Sequence, residues 1–283
     1  MIADLKRQRT TLLVSRGLIY FGLTVAAFIW IYPFLWMLGN ALSGNSLGAG
    51  GYSLLPTSPT VENFARAWVT ANFAKYFLNT VIVSVSVTVL VLITTSLSAY
   101  VFARREFPGK RLLLGLILAT AFLPSGYSMI PIFDLLTRLG LNNTLLGVIL
   151  AEAGPAHVSY ILLFTGFFVG LPRELEESAT VDGATPWQTF WYVMLPLARP
   201  MVATVGIFQF LAAWNSFLVP YIFTLARPDL RTLGVGMFNF FGESGTDWTG
   251  LAAGACIALI PVIIVFVLFQ KQFVRGLEGA VKA

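Results

Sequence analysis

Charge, cysteine and histidine are what this 283-residue sequence has least of. Asp, Glu, Lys and Arg make up 11% of it, against roughly 25% in soluble domains. Hydrophobic residues make up 57%, and mean hydropathy is +0.79. The chain therefore belongs in a bilayer. A single cysteine, Cys256, lies inside an apolar run; it excludes a disulfide framework within the chain and a cysteine-based zinc site. A single histidine, His157, leaves little for imidazole chemistry. The only Gly-Lys pair, Gly109-Lys110, lacks the upstream glycine and following Ser or Thr of a phosphate-binding loop. No Gly-x-Ser-x-Gly elbow and no His-rich metal spacing occurs. No catalytic residue and no metal site is expected, and any chemical energy has to come from a separate chain. The net charge of +5 does not read as a nucleic-acid patch, because the basic residues flank apolar runs.

Those runs are the main thing present. Crossing about 30 Å of hydrocarbon takes roughly 20 apolar residues, and six stretches qualify: Gly17–Gly39, Tyr76–Ala103, Leu112–Leu136, Thr144–Val169, Leu197–Thr224 and Gly250–Gln270. The first follows a basic start, but it is too long for a signal core, and Trp30, Tyr32 and Trp36 are interface anchors rather than a cleavage site. It is read as a retained span. With both termini cytoplasmic, the inner segments hold 13 Lys and Arg and the outer loops five, which the positive-inside rule favours. The expected fold is an all-α, polytopic membrane protein with six transmembrane helices. Residues 1–16 form a cytoplasmic segment, 17–270 the membrane domain and 271–283 a cytoplasmic tail. Pro124, Pro131, Pro155, Pro220 and Pro261 fall within spans; each removes a backbone donor, as expected of kinked helices around a pathway and as membrane helices also tolerate.

Two polar features stand out. Glu152 and His157 lie in the fourth run. A carboxylate near the bilayer centre costs at least ~2.5–3.5 kcal/mol on insertion scales, so Glu152 should face either a substrate path or a hydrogen-bonding partner helix; His157 reads more simply as an interhelical residue. The second feature is the loop Glu174–Pro200. Glu174, Glu176 and Glu177 occupy a first helical turn, where carboxylates suit the positive helix end. Leu175, Ala179 and Val181 make a narrow apolar strip, and Gly183 supplies a left-handed stop. Thr185-Pro186 restarts a helix whose apolar side is Trp187, Phe190, Trp191 and Met194, ended by Leu195-Pro196. Helices lying on a membrane surface are usually basic; this pair is acidic, which fits a docking element for another protein.

The spacing Glu177-Ser178-Ala179, Gly183, Val193, Leu195-Pro196 resembles the Glu-Ala-Ala, Gly, Ile-x-Leu-Pro signature of the inner-membrane permeases of binding-protein-dependent ABC importers. Ser178 and Val193 depart from it with size conserved. The resemblance implies a type I permease fold in which 170–199 is a coupling loop held in a groove of an ATPase subunit. Glu176, Glu177, Ser178, Ala179, Asp182, Gly183, Ala184, Leu195 and Pro196 would carry that coupling. Glu106-Phe107-Pro108-Gly109, Asp182-Gly183-Ala184, Trp214-Asn215 and the tail Phe273–Lys282 are similar to the carbohydrate branch, in particular the six-span permease of maltose-type importers. By the same resemblance, Arg275, Gly276 and Lys282 would touch the ATPase. Asn239, Phe240, Phe241 and Trp248 would lie in the loop that meets the binding protein. Glu152, Trp214 and Asn215 would lie on the substrate path, the indole offering a stacking face and the amide hydrogen bonds, with packing of Trp214 between helices as the equal alternative. The implied partners are a second permease, an ATPase dimer, an extracytoplasmic binding protein, a sugar and the lipid bilayer. ATP and Mg would be used by the ATPase, with no cofactor on this chain. A permease for a polyol or glycerol phosphodiester, an ion-coupled secondary transporter resting on Glu152, and a membrane scaffold are the alternatives.

Overall fold

In a computed structural model, residues 2–44, 56, 58–69, 72–124, 126, 128–155, 157–242 and 245–281 are described, the side chains of 2–14 and 271–281 excepted. Helices account for nearly all the regular structure. In chain order they are α1 (Ile2–Ala41), α2 (Glu62–Val69), α3 (Phe73–Arg104), α4 (Lys110–Thr120), α5 (Met129–Arg138), α6 (Leu145–Ala153), α7 (Val158–Val169), α8 (Glu174–Val181), α9 (Pro186–Thr189), α10 (Leu195–Leu197), α11 (Arg199–Trp214), α12 (Leu218–Phe223), α13 (Leu233–Gly236) and α14 (Trp248–Val281). A two-residue hairpin, β1 (Phe241–Gly242) with β2 (Gly245–Thr246), is the only sheet among the described residues.

Three of the six expected runs are continuous helices long and apolar enough to cross a membrane: Ser15–Ala41, Phe73–Arg104 and Trp248–Gln270. The other three are broken. The third divides into α4 and α5 around Pro124 and Gly126, the latter at φ +85°. The fourth divides into α6 and α7 around Pro155, the two helices bent by 57° as in a broken span or a re-entrant loop. The fifth divides into α11 and α12 at Asn215–Phe217. The prolines thus split the third and fourth runs rather than merely kinking them, because a missing N–H and a ring crowding the carbonyl four residues back end the hydrogen-bond ladder. Pro261, by contrast, is carried inside α14.

By internal packing the chain forms two units. Met1–Ala71 with Asn239–Ile257 make the first. In it, Asn63 Nδ2 donates to the carbonyls of Ala41 (2.9 Å) and Ser43 (2.8 Å), tying α2 to the end of α1. Asp247 caps α14 by accepting from Gly250 N–H at 2.9 Å.

Asn72–Phe238 with Ala258–Ala283 make the second unit, organised on α3. Every fourth residue along one face, Val83, Val87, Val91, Thr95 and Ala99, is buried. This is the one-turn spacing of a single helix face, and its small, β-branched side chains let α6, α7 and α11 approach closely. The polar residues of α3 cost little, because Thr80, Ser84, Thr88, Thr95 and Ser96 donate their hydroxyls to carbonyls four residues back at 2.6–2.7 Å. One apolar cluster joins Val83, Val87 and Val91 to Leu136, Val148, Ile149 and Phe223. A second joins Ala99 and Tyr100 to Phe164, Phe168, Phe190, Met194 and Val205, and the long loop rests on this second cluster.

Candidate functional site

Local chemistry shapes the loop between α7 and α11. Helix α8 ends in a Schellman turn: Gly183 N–H donates to Thr180 O (3.0 Å) and Ala184 N–H to Ala179 O (2.9 Å), with Gly183 at φ +84°. Thr185 and Gln188 then form a reciprocal capping box that starts α9. The second arm does not stop at Leu195-Pro196 as expected. Phe190–Met194 widen into a π-helical turn, α10 runs on to Leu197, and the chain turns 79° into α11. Pro196 cannot donate to the carbonyl four residues back and its ring crowds it; a wider turn just ahead of it relieves both.

The loop has an inner and an outer face. Phe190 and Met194 are buried, and Phe190 packs against Tyr100 with ring centroids 5.3 Å apart. Ala179, at 8% exposure, also faces inward. Glu176 turns in too. Its Oε1 lies 3.3 Å from Arg104 Nε and its Oε2 3.9 Å from Arg105 Nη2, and the Arg104 and Glu176 side chains are 5% and 16% exposed. Glu174, Glu177, Ser178, Val181, Asp182 and Gly183 are exposed. Val181, at 88%, leaves the expected strip of Leu175 and Ala179, since two residues of helix rotate it to the opposite side. Trp187 keeps to the expected apolar side of the second arm, its ring centroid 6.5 Å from that of Phe190 and 5.6 Å from that of Trp191, yet it is 60% exposed. Ser178 donates its hydroxyl to Glu174 O at 2.7 Å, so its polarity is satisfied within the helix and it stands in for alanine at little cost. Leu195, Pro196 and Ala184 are half-buried. Of the nine residues expected to meet an ATPase, the structure turns Glu176 and Ala179 toward the chain itself. Arg104 and Arg105, read from sequence only as topology signals, are the loop's partners; two arginines at a helix end beside an acidic loop were the available clue.

The expected substrate-path residues separate. Glu152 accepts from the Ser216 hydroxyl, which joins the end of α6 to the break after α11. Trp214 takes the packing alternative and not the stacking one: the residue is 4% exposed, its ring edge-on to Phe77 and stacked on Phe210, and its Nε1 donates to Ala258 O at 3.1 Å. No sugar-stacking face is open there, because the indole fills the space between helices. Asn215 is exposed, and its amide donates to Leu211 O at 2.8 Å. His157 stacks on Tyr160, one turn on in the same helix, with ring centroids 5.8 Å apart.

The residues expected to meet a binding protein also divide. Asn239, Phe241 and Trp248 are exposed around the hairpin, whereas Phe240 is buried and its ring cannot probe a partner. Arg66 holds the start of α14 through Asp247 (2.9 Å) and Thr249 (3.0 Å). Earlier in this connection, Asn79 Nδ2 donates to Asp229 O and Arg231 O, both at 3.0 Å. Arg227 grips Asp229 with two hydrogen bonds of 2.9 Å, which with Lys75 nearby lowers that carboxyl to about 2. Lys282 and the side chain of Arg275 lie outside the described residues, as do the surroundings of Gly276, whose backbone continues α14.

Broken apolar helices around a central α3, with a capped, acidic-faced loop resting on it, define a multi-pass membrane transport component. Residues 93–279 match the family described as binding-protein-dependent transport system inner membrane component. The chain belongs to that family. It is 38% identical over 248 residues to the diacetylchitobiose uptake system permease protein of Streptomyces coelicolor, covering 86% of this chain and 80% of that one. It is 33% identical over 282 residues to the arabinooligosaccharides transport system permease protein of Halalkalibacterium halodurans, covering 97% and 99%. The fold is similar to that of a chain in the crystal structure of a bacterial ABC transporter that imports alginate, with TM-score 0.80, 24% identity and coverage of 92% and 96%. The family places this chain in the inner membrane as one component of an importer that works with a binding protein.

Proposed function

We propose that this chain is a permease subunit of an ATP-driven importer of a sugar or oligosaccharide. It pairs with a second, different permease and with an ATPase dimer that uses ATP and Mg, and it receives substrate from an external binding protein. The observation that carries the coupling is the two-faced loop: its inner face is seated on the chain's own core, while Glu174, Glu177, Val181, Asp182 and Trp187 are presented outward. A groove on a separate protein is what such a rigid, acidic and partly aromatic face fits. Substrate class rests on the relatives, which carry diacetylchitobiose and arabinooligosaccharides by name. The broken runs are each read as one crossing, which makes six spans with both termini cytoplasmic and the 170–199 loop on the same side.

Two experiments test this reading. Glu177→Lys is expected to abolish co-purification of the ATPase while the permease still inserts; retained binding and transport would refute the docking face. The co-purified binding protein is then screened by thermal shift against disaccharides and oligosaccharides, including diacetylchitobiose and arabino-oligosaccharides. Stabilisation by a polyol or a glycerol phosphodiester alone would overturn the sugar reading, and vesicle uptake driven by an ion gradient without ATP would overturn the whole.

A further inference from the structure

We propose that Glu176 is a positioning residue that ties the coupling loop to α3, so that movement of α8 is delivered to the central helix of the core; this rests on the coupling reading above. Chain connectivity links α8 only to its neighbours: to α7 through residues 170–173 and to α9 through 182–185. Helix α3 ends at Arg104, seventy residues earlier. The route from loop to α3 must therefore be non-covalent. Apolar contacts such as Phe190 on Tyr100 transmit compression but have no preferred direction. The hydrogen bond from Arg104 to Leu171 O has direction, and the ion pair of Arg104 with Glu176, close but not hydrogen-bonded, adds short-range attraction at the same place.

Glu176 spans both arginines at the end of α3, at 3.3 Å to Arg104 and 3.9 Å to Arg105. Arg104 also donates to Leu171 O at 2.6 Å, gripping the turn that feeds α8. Arg105 is steadied from its own helix, donating to Tyr100 Oη at 2.9 Å with its guanidinium 5.6 Å from that ring's centroid. One carboxylate and two guanidiniums thus clamp the start of α8 and the preceding turn to the last turn of α3. The Arg104–Glu176 pair is shielded from water, so it is not loosened by salt as an exposed pair would be. Helix α3 in turn packs on α6, α7 and α11, so a pull on Arg104 reaches both broken spans that flank Glu152 and Ser216. The sign of the residue matters as well. Glu176 sits beside Glu177 in sequence, yet it points inward and Glu177 outward: one carboxylate faces the partner and the next holds the chain's own core.

The test uses the assembled importer in proteoliposomes, with the binding protein and the panel oligosaccharide that the wild type carries. E176Q keeps the side-chain volume and removes the charge. The ATPase should still co-purify and still turn over ATP, while uptake per ATP hydrolysed falls about tenfold, inside the 5–150-fold range of typical coupling. The charge-swapped double variant R104E with E176R should recover part of that ratio, because the ion pair is restored while the hydrogen bond to Leu171 O is lost with the arginine. An unchanged ratio in E176Q, no recovery in the swap, or loss of the ATPase alone from an E176Q permease pair that is otherwise intact would each overturn the proposal. If E176Q fails to assemble, the swap decides: an assembled, coupled swap supports the tether, and failure of both assigns Glu176 to folding and overturns it. Glu177→Lys reports on docking separately, so the two readings fail in different variants.

Discussion

The two long connections of this chain, Glu174–Pro200 and Leu225–Thr249, use the same interactions at very different depth. The first is anchored by Arg104–Glu176, whose side chains are nearly out of contact with water. The second is anchored by Arg227–Asp229 and Arg66–Asp247, which are open to it. Each also carries a glycine that cannot be replaced freely, for opposite reasons. Gly183 adopts φ +84° with open space around it. Gly236 has ordinary backbone, but a Cβ there would lie 2.3 Å from Tyr76 Cδ2. An ion pair or a glycine in the sequence therefore carries little meaning until its surroundings are known. The first connection is held from within the core, and the second at its surface.

Substitutions can break or sharpen that contrast. Arg104→Leu has the largest expected effect, because it leaves the largely shielded Glu176 carboxylate with only the more distant Arg105; the loss is about 3 kcal/mol, read as a lowered unfolding midpoint of the purified complex. Gly236→Ala comes next, at about 1–3 kcal/mol from overpacking, and it should fall when Tyr76 is shortened to Leu in the same chain. Gly183→Ala meets no atom, so only the left-handed backbone opposes it, at roughly 1–2 kcal/mol. Gly183→Asn should be milder, since asparagine visits that region more readily; equal losses in the two would assign the glycine to close packing instead. Arg66→Leu breaks an exposed pair and should cost roughly 0–1 kcal/mol. A loss matching that of Arg104→Leu would erase the distinction between the connections.

The smallest effect is one of pH. The Asp229 carboxyl is lowered to about 2 by the hydrogen bonds and charge of Arg227. The folded state therefore favours the ionised form, and the contribution is present above the ordinary value of 3.8 and is lost as pH falls from there toward 2. Asp229→Asn should differ from the wild type at pH 6 and converge with it near pH 2. A difference that grows in acid would overturn this assignment.

Much of the architecture was legible from residue order. The six apolar runs all emerge as helical segments, and the start of α9, the stop at Gly183 and the acidic first turn of α8 were readable because caps and left-handed glycines act over four or five residues. The facing of side chains was less so. Ala179 turns in and Val181 out because of helical rotation, which spacing could have shown. Glu176 turns in and Glu177 out because two arginines lie some seventy residues upstream, and no local pattern carries that. Trp214 and Phe240 look like ligand-facing aromatics in a list of residues; they are buried because neighbouring helices supply an aromatic stack, a carbonyl or an apolar wall. Prolines marked where spans were weakened, but whether a helix splits, as at Pro155, or continues, as at Pro261, depends on what surrounds the freed carbonyl.

Sequence alone determined the bilayer class, the helical runs and the two-helix build of the Glu174–Pro200 loop, since composition, apolar length and short-range capping are properties of consecutive residues. Tertiary structure decided which carboxylate holds the loop and which is left for a partner, and which aromatics are packing. Those outcomes depend on burial, and burial is set by residues far apart in the chain.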